Sequence, residues 1–317
     1  MNTLFWLWLL VLPFAPQQGT ILDEAVRHYT HGDYREAADL LSPVAGTPEA
    51  SADLKLWLGR SYLKLGEWDR AVRIMEKAVA MEPSNALYRL WLGRAYGGRA
   101  ENRTFGFNDA RRLLKEFKKA SELAPDNTEI RFDLLEYYIQ APGIVGGSRD
   151  KAWEEAEIIA RLNPRLGHTA RATIHERDKK WDEARREYAA AARDFPDNPN
   201  SHKDLAIFLF SREDYGGALE SALRLLEMDQ SSTRGLFIAA ACRAHLGVDL
   251  EDAAESLRTL AAGPLGEGGP SVDAVYYWQG VLWDRKGEKE RSREAFEEAL
   301  RINPKNRKAE RYLETMK

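Results

Sequence analysis

The sequence predicts an all-α protein, a right-handed solenoid of about eight helix–turn–helix repeats. The segment LWLGRSY at 56–62 returns as LWLGRAY at 90–96, and a shift of 34 residues is typical of arrays of helical hairpins. Ala, Leu, Glu, Arg and Lys are abundant and long Val/Ile alternation is missing, which favours helices over strands. A hydrophobic content of 44% excludes wholesale disorder.

Residues 1–19 predict a signal peptide or an N-terminal anchor. The apolar run from Leu4 to Ala15 is shorter than the about 20 residues of a membrane span, which fits a signal-peptide core. Two features depart from that pattern: no Lys or Arg precedes the run, and Pro16 follows the small residue Ala15, which leaves Gly19 as a second cleavage position. We expect export, with an uncleaved anchor, and hence membrane contact, as the alternative.

The array is predicted over residues 20–306. In the second repeat, Gly66 ends the first helix, Met75 fills the interior and Pro83 stops the second helix. The other repeats are marked, in chain order, by GDYREAADLL (32–41), Gly93 to Pro125, Leu134 to Pro164, KWDEARREYAAAARDFP (180–196), EDYGGALESAL (213–223), the degenerate HLGVDLEDAAESL (245–257) with GPLGEGGP (263–270), and Gly280 to Pro304. The charged segment 307–317 is expected to form a helix that caps the array with a polar face.

This pattern of small residues, aromatic residues and closing prolines resembles the tetratricopeptide repeat (TPR) family over nearly all of the chain after residue 19. The resemblance implies hairpins that bury their apolar faces only by stacking on their neighbours. It also implies a concave groove, lined by the first helix of each hairpin, that holds peptides or helices.

Two consecutive repeats are longer than the others. Tyr62 and Pro83 are 21 positions apart, whereas Tyr96 and Pro125 are 29 apart and Tyr138 and Pro164 are 26 apart. The additional residues are assigned to loops between the two helices of a hairpin, GGRAENRTFGFND (97–109) and APGIVGGSRD (141–150). This combination resembles exported bacterial TPR proteins, which implies a location in the envelope or outside the cell and supplies no reaction.

The second loop, although rich in glycine, does not match a phosphate-binding pattern. Gly146, Gly147 and Ser148 are followed by Arg149, so the Lys-Ser/Thr pair of a P-loop is missing. No strand precedes the loop, which also excludes a dinucleotide fingerprint. Asp150 is expected to cap the following helix and to fill the position that an anion would take.

Stacked hairpins are expected to place the two loops side by side as one rim. We consider two roles for this rim: the loops close a packing gap, or they bind an acidic or apolar partner segment. The candidate rim residues are Arg99, Arg103, Phe105, Phe107, Ile144, Val145 and Arg149.

A second candidate surface is the groove. The candidate groove residues, found by matching positions between repeats, are Leu56, Arg60, Leu90, Arg94, Phe132, Glu136, Lys203, Phe210, Phe237 and Tyr277. The Lys/Asn/Arg clamp of TPR proteins that hold acidic chaperone tails is absent, because Leu56, Arg60 and Trp91 occupy the matching positions. The mixed surface suits a peptide with apolar anchors, although packing between helices could account for half of these residues.

The sequence contains no pattern that indicates an enzyme, a cofactor or a metal. The segment IHERDKK (174–180) lacks the second His of a zinc-protease helix, and no G-x-S-x-G elbow occurs. The 46 Lys and Arg nearly balance the 50 Asp and Glu, so the net charge indicates no nucleic-acid partner. We therefore predict an exported, non-enzymatic scaffold for protein or peptide partners, with self-association possible. The alternatives are an accessory subunit of an envelope assembly or secretion/export machine, or a protein that binds a small anion at the Gly-rich rim or an enzyme that uses it.

Overall fold

The structure is a computed structural model that describes residues 14–102, 106–266 and 268–316. The predicted signal segment lies largely outside these residues, as do the candidate rim residues Arg103 and Phe105.

The helices are α1 (Phe14–His31), α2 (Tyr34–Ala45), α3 (Ala52–Lys64), α4 (Trp68–Met81), α5 (Ala86–Glu101), α6 (Phe107–Leu123), α7 (Thr128–Gln140), α8 (Arg149–Leu162), α9 (Pro164–Arg177), α10 (Trp181–Asp194), α11 (Pro199–Ser211), α12 (Tyr215–Met228), α13 (Thr233–Leu246), α14 (Leu250–Ala262), α15 (Val272–Arg285), α16 (Lys289–Ile302) and α17 (Arg307–Thr315), with a short 3-10 helix at Gly143–Val145.

These helices form eight consecutive hairpins followed by α17, which confirms the predicted all-α solenoid. The chain divides into two compact units, unit 1 up to Pro125 and unit 2 from Asp126. Unit 1 holds the hairpins α1–α2, α3–α4 and α5–α6, and unit 2 holds the other five hairpins and α17. No helix in the described ranges is both long enough and apolar enough to cross a membrane.

Capping side chains begin several helices, and turns that contain a residue with positive φ separate the two helices of most hairpins. Asn85, Asn127 and Asn163 accept backbone N–H groups of the first turn of α5, α7 and α9, which satisfies donors that have no partner inside the helix. In seven of the eight hairpins, the described residues of the turn include one with positive φ, for example Gly66 at 72° and Gly287 at 79°. Only glycine adopts this backbone conformation without a steric cost.

Close contact between the two helices of a hairpin depends on a small residue facing a large one. A Cβ atom on Gly59 would lie 2.6 Å from Cγ of Met75, and one on Gly93 would lie 2.4 Å from the ring of Phe117. Gly280 faces the ring of Phe296 in the same way, at 2.5 Å. In both units, a small residue on one helix of the hairpin therefore packs against a large residue on the other helix.

The single cysteine is part of the core of unit 2. Cys242 is free and fully buried in α13, and burial raises the pKa of its thiol to about 12. Since the thiolate is the reactive form, Cys242 serves as a packing residue of α13.

The first insertion is mostly helix, so the predicted loop over 97–109 is wrong in its extent. Helix α5 continues to Glu101 and α6 already begins at Phe107. The glycines that suggested a loop are packing positions, because a Cβ atom on Gly98 would lie 2.5 Å from the Trp68 ring. The additional residues of this repeat therefore mainly lengthen its two helices.

The second insertion is a compact loop over Ala141–Ser148. The amides of Val145 and Gly147 donate to the Pro142 carbonyl, at 3.0 and 3.2 Å, and the Ser148 amide donates to Tyr138. A Cβ atom on Gly147 would lie 1.7 Å from the Ala141 carbonyl oxygen, so only glycine fits there. The loop satisfies its own backbone and needs no ligand to hold its shape.

The cap of α8 differs from the predicted one. The Ser148 side chain accepts the Lys151 amide, and Asp150 lies in the first turn. Ser148 precedes a helix that begins at Arg149, so the last two residues of the predicted loop, Arg149 and Asp150, are helical. The two insertions belong to different units, and their formation of one rim stays a prediction.

Candidate partner-binding site

In unit 1, the candidate groove residues fall into a buried and a half-buried pair. Leu56 and Leu90 are 2% and 0% exposed, and Leu56 packs in a cluster with Ala78 and Tyr88. These two leucines are core residues. Arg60 and Arg94 are half-buried and lie on α3 and α5, first helices of consecutive hairpins.

Arg60 lies among three aromatic rings. Its guanidinium carbon is 3.9 Å from the centroid of Trp57, 4.2 Å from that of Trp91 and 4.7 Å from that of Tyr29. Arg94 lies 4.5 Å from the Trp91 centroid, so the two arginines share one indole ring. Stacking of a cation on aromatic faces stabilises each pair by about 0.5 to 2 kcal/mol, more where water is excluded.

Arg60 differs from the other inward-facing arginines of unit 1 in having no carboxylate partner within the described part of the chain. Arg89 pairs with Glu116 at 2.6 Å, and Arg99 pairs with Asp109. The Nε atom of Arg60 is buried and has no hydrogen-bond partner. A guanidinium held flat by rings keeps its N–H donors in its own plane, so this side chain can still donate hydrogen bonds to a carboxylate.

Trp57 and Tyr29 are the site residues that the sequence reasoning missed. A signal was present, because LWLGR places a tryptophan three residues before the arginine in both copies. Residues three apart on a helix are surface neighbours. Both tryptophans are half-buried.

In unit 2, the candidate groove residues are more dispersed. Phe132 and Lys203 are half-buried, Glu136 is exposed and Phe237 is buried. Lys203 donates to Asn200 at 2.5 Å. Half of the expected groove surface is therefore packing or locally paired.

Three of the four aromatic groove residues of unit 2 belong to the core or pack against it: Phe210, Phe237 and Tyr277. Phe210 contacts the rings of Phe237 and Trp278, with centroids 6.0 and 5.7 Å apart. Tyr277 packs on Phe296 at 5.7 Å, and burial raises the pKa of Tyr277 to about 12. These rings hold successive hairpins together.

The rim candidates of unit 1 differ in role. Arg99 forms two hydrogen bonds with Asp109, Nε–Oδ2 at 2.9 Å and Nη2–Oδ1 at 2.6 Å, and this pair raises the pKa of the guanidinium. Arg99 therefore joins α5 to α6 and is not a docking residue. Phe107 is 49% exposed at the start of α6.

The rim candidates of unit 2 also differ. Val145 is 4% exposed, whereas Ile144 beside it is 72% exposed. Arg149 pairs with Asp178 in the turn between α9 and α10, and burial together with the charge of Arg177 lowers its pKa. Of the described rim candidates, Phe107 and Ile144 alone present large exposed side chains without a structural partner role. Three or more potential metal ligands do not come together anywhere in the described ranges.

Models of the tetratricopeptide repeat match residues 28–95, 169–233 and 273–306. A segment of 69 residues is 38% identical to the rhomboid protease GluP of Bacillus subtilis (strain 168), over 22% of this chain and 14% of that protein. The chain thus spans only a small part of that relative.

Solved structures share the fold at low sequence identity. A thermophilic TPR protein of Thermus thermophilus is 23% identical with a TM-score of 0.50, over 61% of this chain and 99% of that one. Yeast Tom70 is 14% identical with a TM-score of 0.52, over 96% and 82%. Human IFIT1, solved as a dimer with m7Gppp-AAAA, is 15% identical with a TM-score of 0.52, over 88% and 68%.

Proposed function

Because the chain is built of tetratricopeptide repeats, we propose that it is a non-enzymatic scaffold that binds a protein segment on the first-helix face of unit 1. The observation that carries this proposal is Arg60, stacked between Trp57 and Trp91 without a carboxylate partner among the described residues. Rigid aromatic and arginine side chains of this kind are the residues that dominate binding energy at protein interfaces.

The chemistry of the site indicates the kind of segment that fits. The planar guanidinium of Arg60 favours a carboxylate bound through two N–H groups. The half-exposed edges of Trp57 and Trp91 offer apolar area beside it. A segment with one acidic residue next to an apolar or aromatic one satisfies both features.

The proposed location is the cell envelope or the exterior. It is supported by the apolar run Leu4–Ala15, whose length fits a signal-peptide core, and by the resemblance of the two insertions to exported bacterial TPR proteins. A role as an accessory subunit of an envelope machine would use the same face with a permanent partner.

The test is cross-linking of the tagged full-length protein in its native cells, followed by mass spectrometry. Arg60→Met keeps the length of the side chain and removes its N–H donors, whereas the control Arg186→Met changes an exposed arginine of α10. We expect a protein that the wild type and the control enrich and Arg60→Met loses. Equal enrichment by all three proteins, or none above background, would contradict the proposed site.

A further inference from the structure

The outer surface of unit 1 has a local excess of positive charge that the net charge of −4 hides. Helices α4 and α6 are the second helices of consecutive hairpins, so they lie on the same side of the stack. Six exposed cations on these two helices have no ion pair within the described residues, and we call them the basic face: Arg73, Lys77, Arg111, Arg112, Lys115 and Lys118.

The excess arises because α6 directs its buried carboxylates inward. Glu116 neutralises Arg89 of α5, and Asp109 neutralises Arg99 of α5. Both carboxylates are therefore used inside the hairpin and cannot offset the charge outside. On the exposed side of α6, the carboxylate of Glu122 pairs with Lys119.

The spacing of three cations of the basic face aligns them along α6. Arg111, Lys115 and Lys118 follow one another at steps of four and three residues, which places them along one strip of α6. Phe107, four residues before Arg111, continues the strip at its end and is 49% exposed. The strip therefore combines a row of cations with one accessible apolar ring.

Such a strip is not a general property of second helices in this protein. On α16, Arg291 pairs with Glu288 and Arg301 pairs with Glu298. The exposed charges there alternate in sign and cancel locally, as expected for a solvated helix surface.

We propose that the basic face binds the anionic headgroups of a phospholipid bilayer. Clusters of four to eight Lys and Arg on an amphipathic helix attract anionic lipids, and the basic face carries six such cations on α4 and α6. Phe107 can enter the interface between headgroups and acyl chains. A single-stranded nucleic acid fits less well, because Phe107 is the single exposed aromatic ring on this strip, whereas successive bases stack on a series of exposed rings.

The experiment measures binding of the full-length protein to sedimented vesicles, either of phosphatidylcholine alone or with phosphatidylglycerol added. Lys115→Gln/Lys118→Gln removes two charges from the basic face. Lys305→Gln/Lys308→Gln is the matched control, because it removes two exposed lysines of unit 2. The N-terminal apolar run is the same in all proteins, so the difference between the two vesicle types isolates the charge effect.

We expect stronger binding to the anionic vesicles, a loss of that preference at high salt, and an about thirtyfold fall in partitioning for the first variant. The control should fall by less than about twofold, since its lysines lie outside the basic face. Equal binding to both vesicle types, or an equal loss in both variants, would overturn the proposal. So would wild-type binding to polyglutamate or single-stranded RNA without any preference for anionic vesicles.

Discussion

The ion pair between Arg99 and Asp109 makes a strong prediction, because both side chains are largely removed from water. They are 13% and 7% exposed and share two hydrogen bonds. Asp109→Asn keeps the size of the side chain and removes its charge, which leaves a guanidinium inside the hairpin without its partner. Breaking such a pair costs about 3 to 5 kcal/mol. Asp69, whose Oδ1 lies 3.4 Å from Nη1 of Arg99, should reduce the loss to about 2 to 3 kcal/mol.

Urea unfolding followed by tryptophan fluorescence measures this loss through the midpoint and the slope. Glu298→Gln, which breaks the exposed pair with Arg301, is the control and should leave the midpoint unchanged. In Arg99→Met/Asp109→Leu no charge is buried, so most of the stability should return. A loss below about 0.5 kcal/mol for Asp109→Asn, or a double variant as unstable as the single one, would refute the reasoning.

Two further predictions concern backbone conformation and pH. Gly66→Ala should destabilise the protein by about 1 kcal/mol, because φ is 72° at that position. Gly216→Ala in α12 should instead stabilise it by about 0.5 kcal/mol, because the added Cβ would meet no atom within 4 Å. Urea unfolding measures both changes in the free energy of unfolding, and changes of the same sign would contradict this prediction. Burial and the charge of Arg285 lower the pKa of His245, so stability should be complete above its ordinary pKa of about 6.5 and fall as the pH drops below it. His245→Phe, which keeps a ring stacked on Tyr215, should flatten the stability profile between about pH 7 and 5, and an unchanged profile would exclude His245 as its source.

The repeat architecture was predictable because its signals are periodic. Each hairpin repeats one solution to the same packing problem, a small residue such as Gly59 or Gly280 facing a large one such as Met75 or Phe296. If a position is assigned one residue away from its true place in one repeat, the equivalent position of the next repeat shows the correct register. These repeated small and large residues therefore predicted about eight hairpins and a terminal helix.

The conformation of the first insertion was not predictable from spacing, because a count of additional residues does not say whether they are helical. Gly97 and Gly98 have a low intrinsic helix propensity, and the sequence therefore favoured a loop. In the structure, contact with the Trp68 ring at Gly98 and the pairing of Arg99 with Asp109 both require the longer helices. Tertiary contacts of this kind outweigh local propensity and have no signature in a single repeat.

The same limit applies to charge and explains why the stacking around Arg60 and the basic face of unit 1 emerged only from the structure. A sequence gives the number of carboxylates near an arginine but not the direction of each side chain. Glu116 turns toward Arg89, and Lys115 and Lys118 beside it remain without an anion on the outer side. Arg60 turns toward three rings and toward no carboxylate of the described chain. The unpaired outer lysines are thus a consequence of one packing arrangement, in which α6 directs Asp109 and Glu116 toward α5. A variant that loses Glu116 should therefore weaken the hairpin while adding no charge to the outer face, which separates stability from either binding surface.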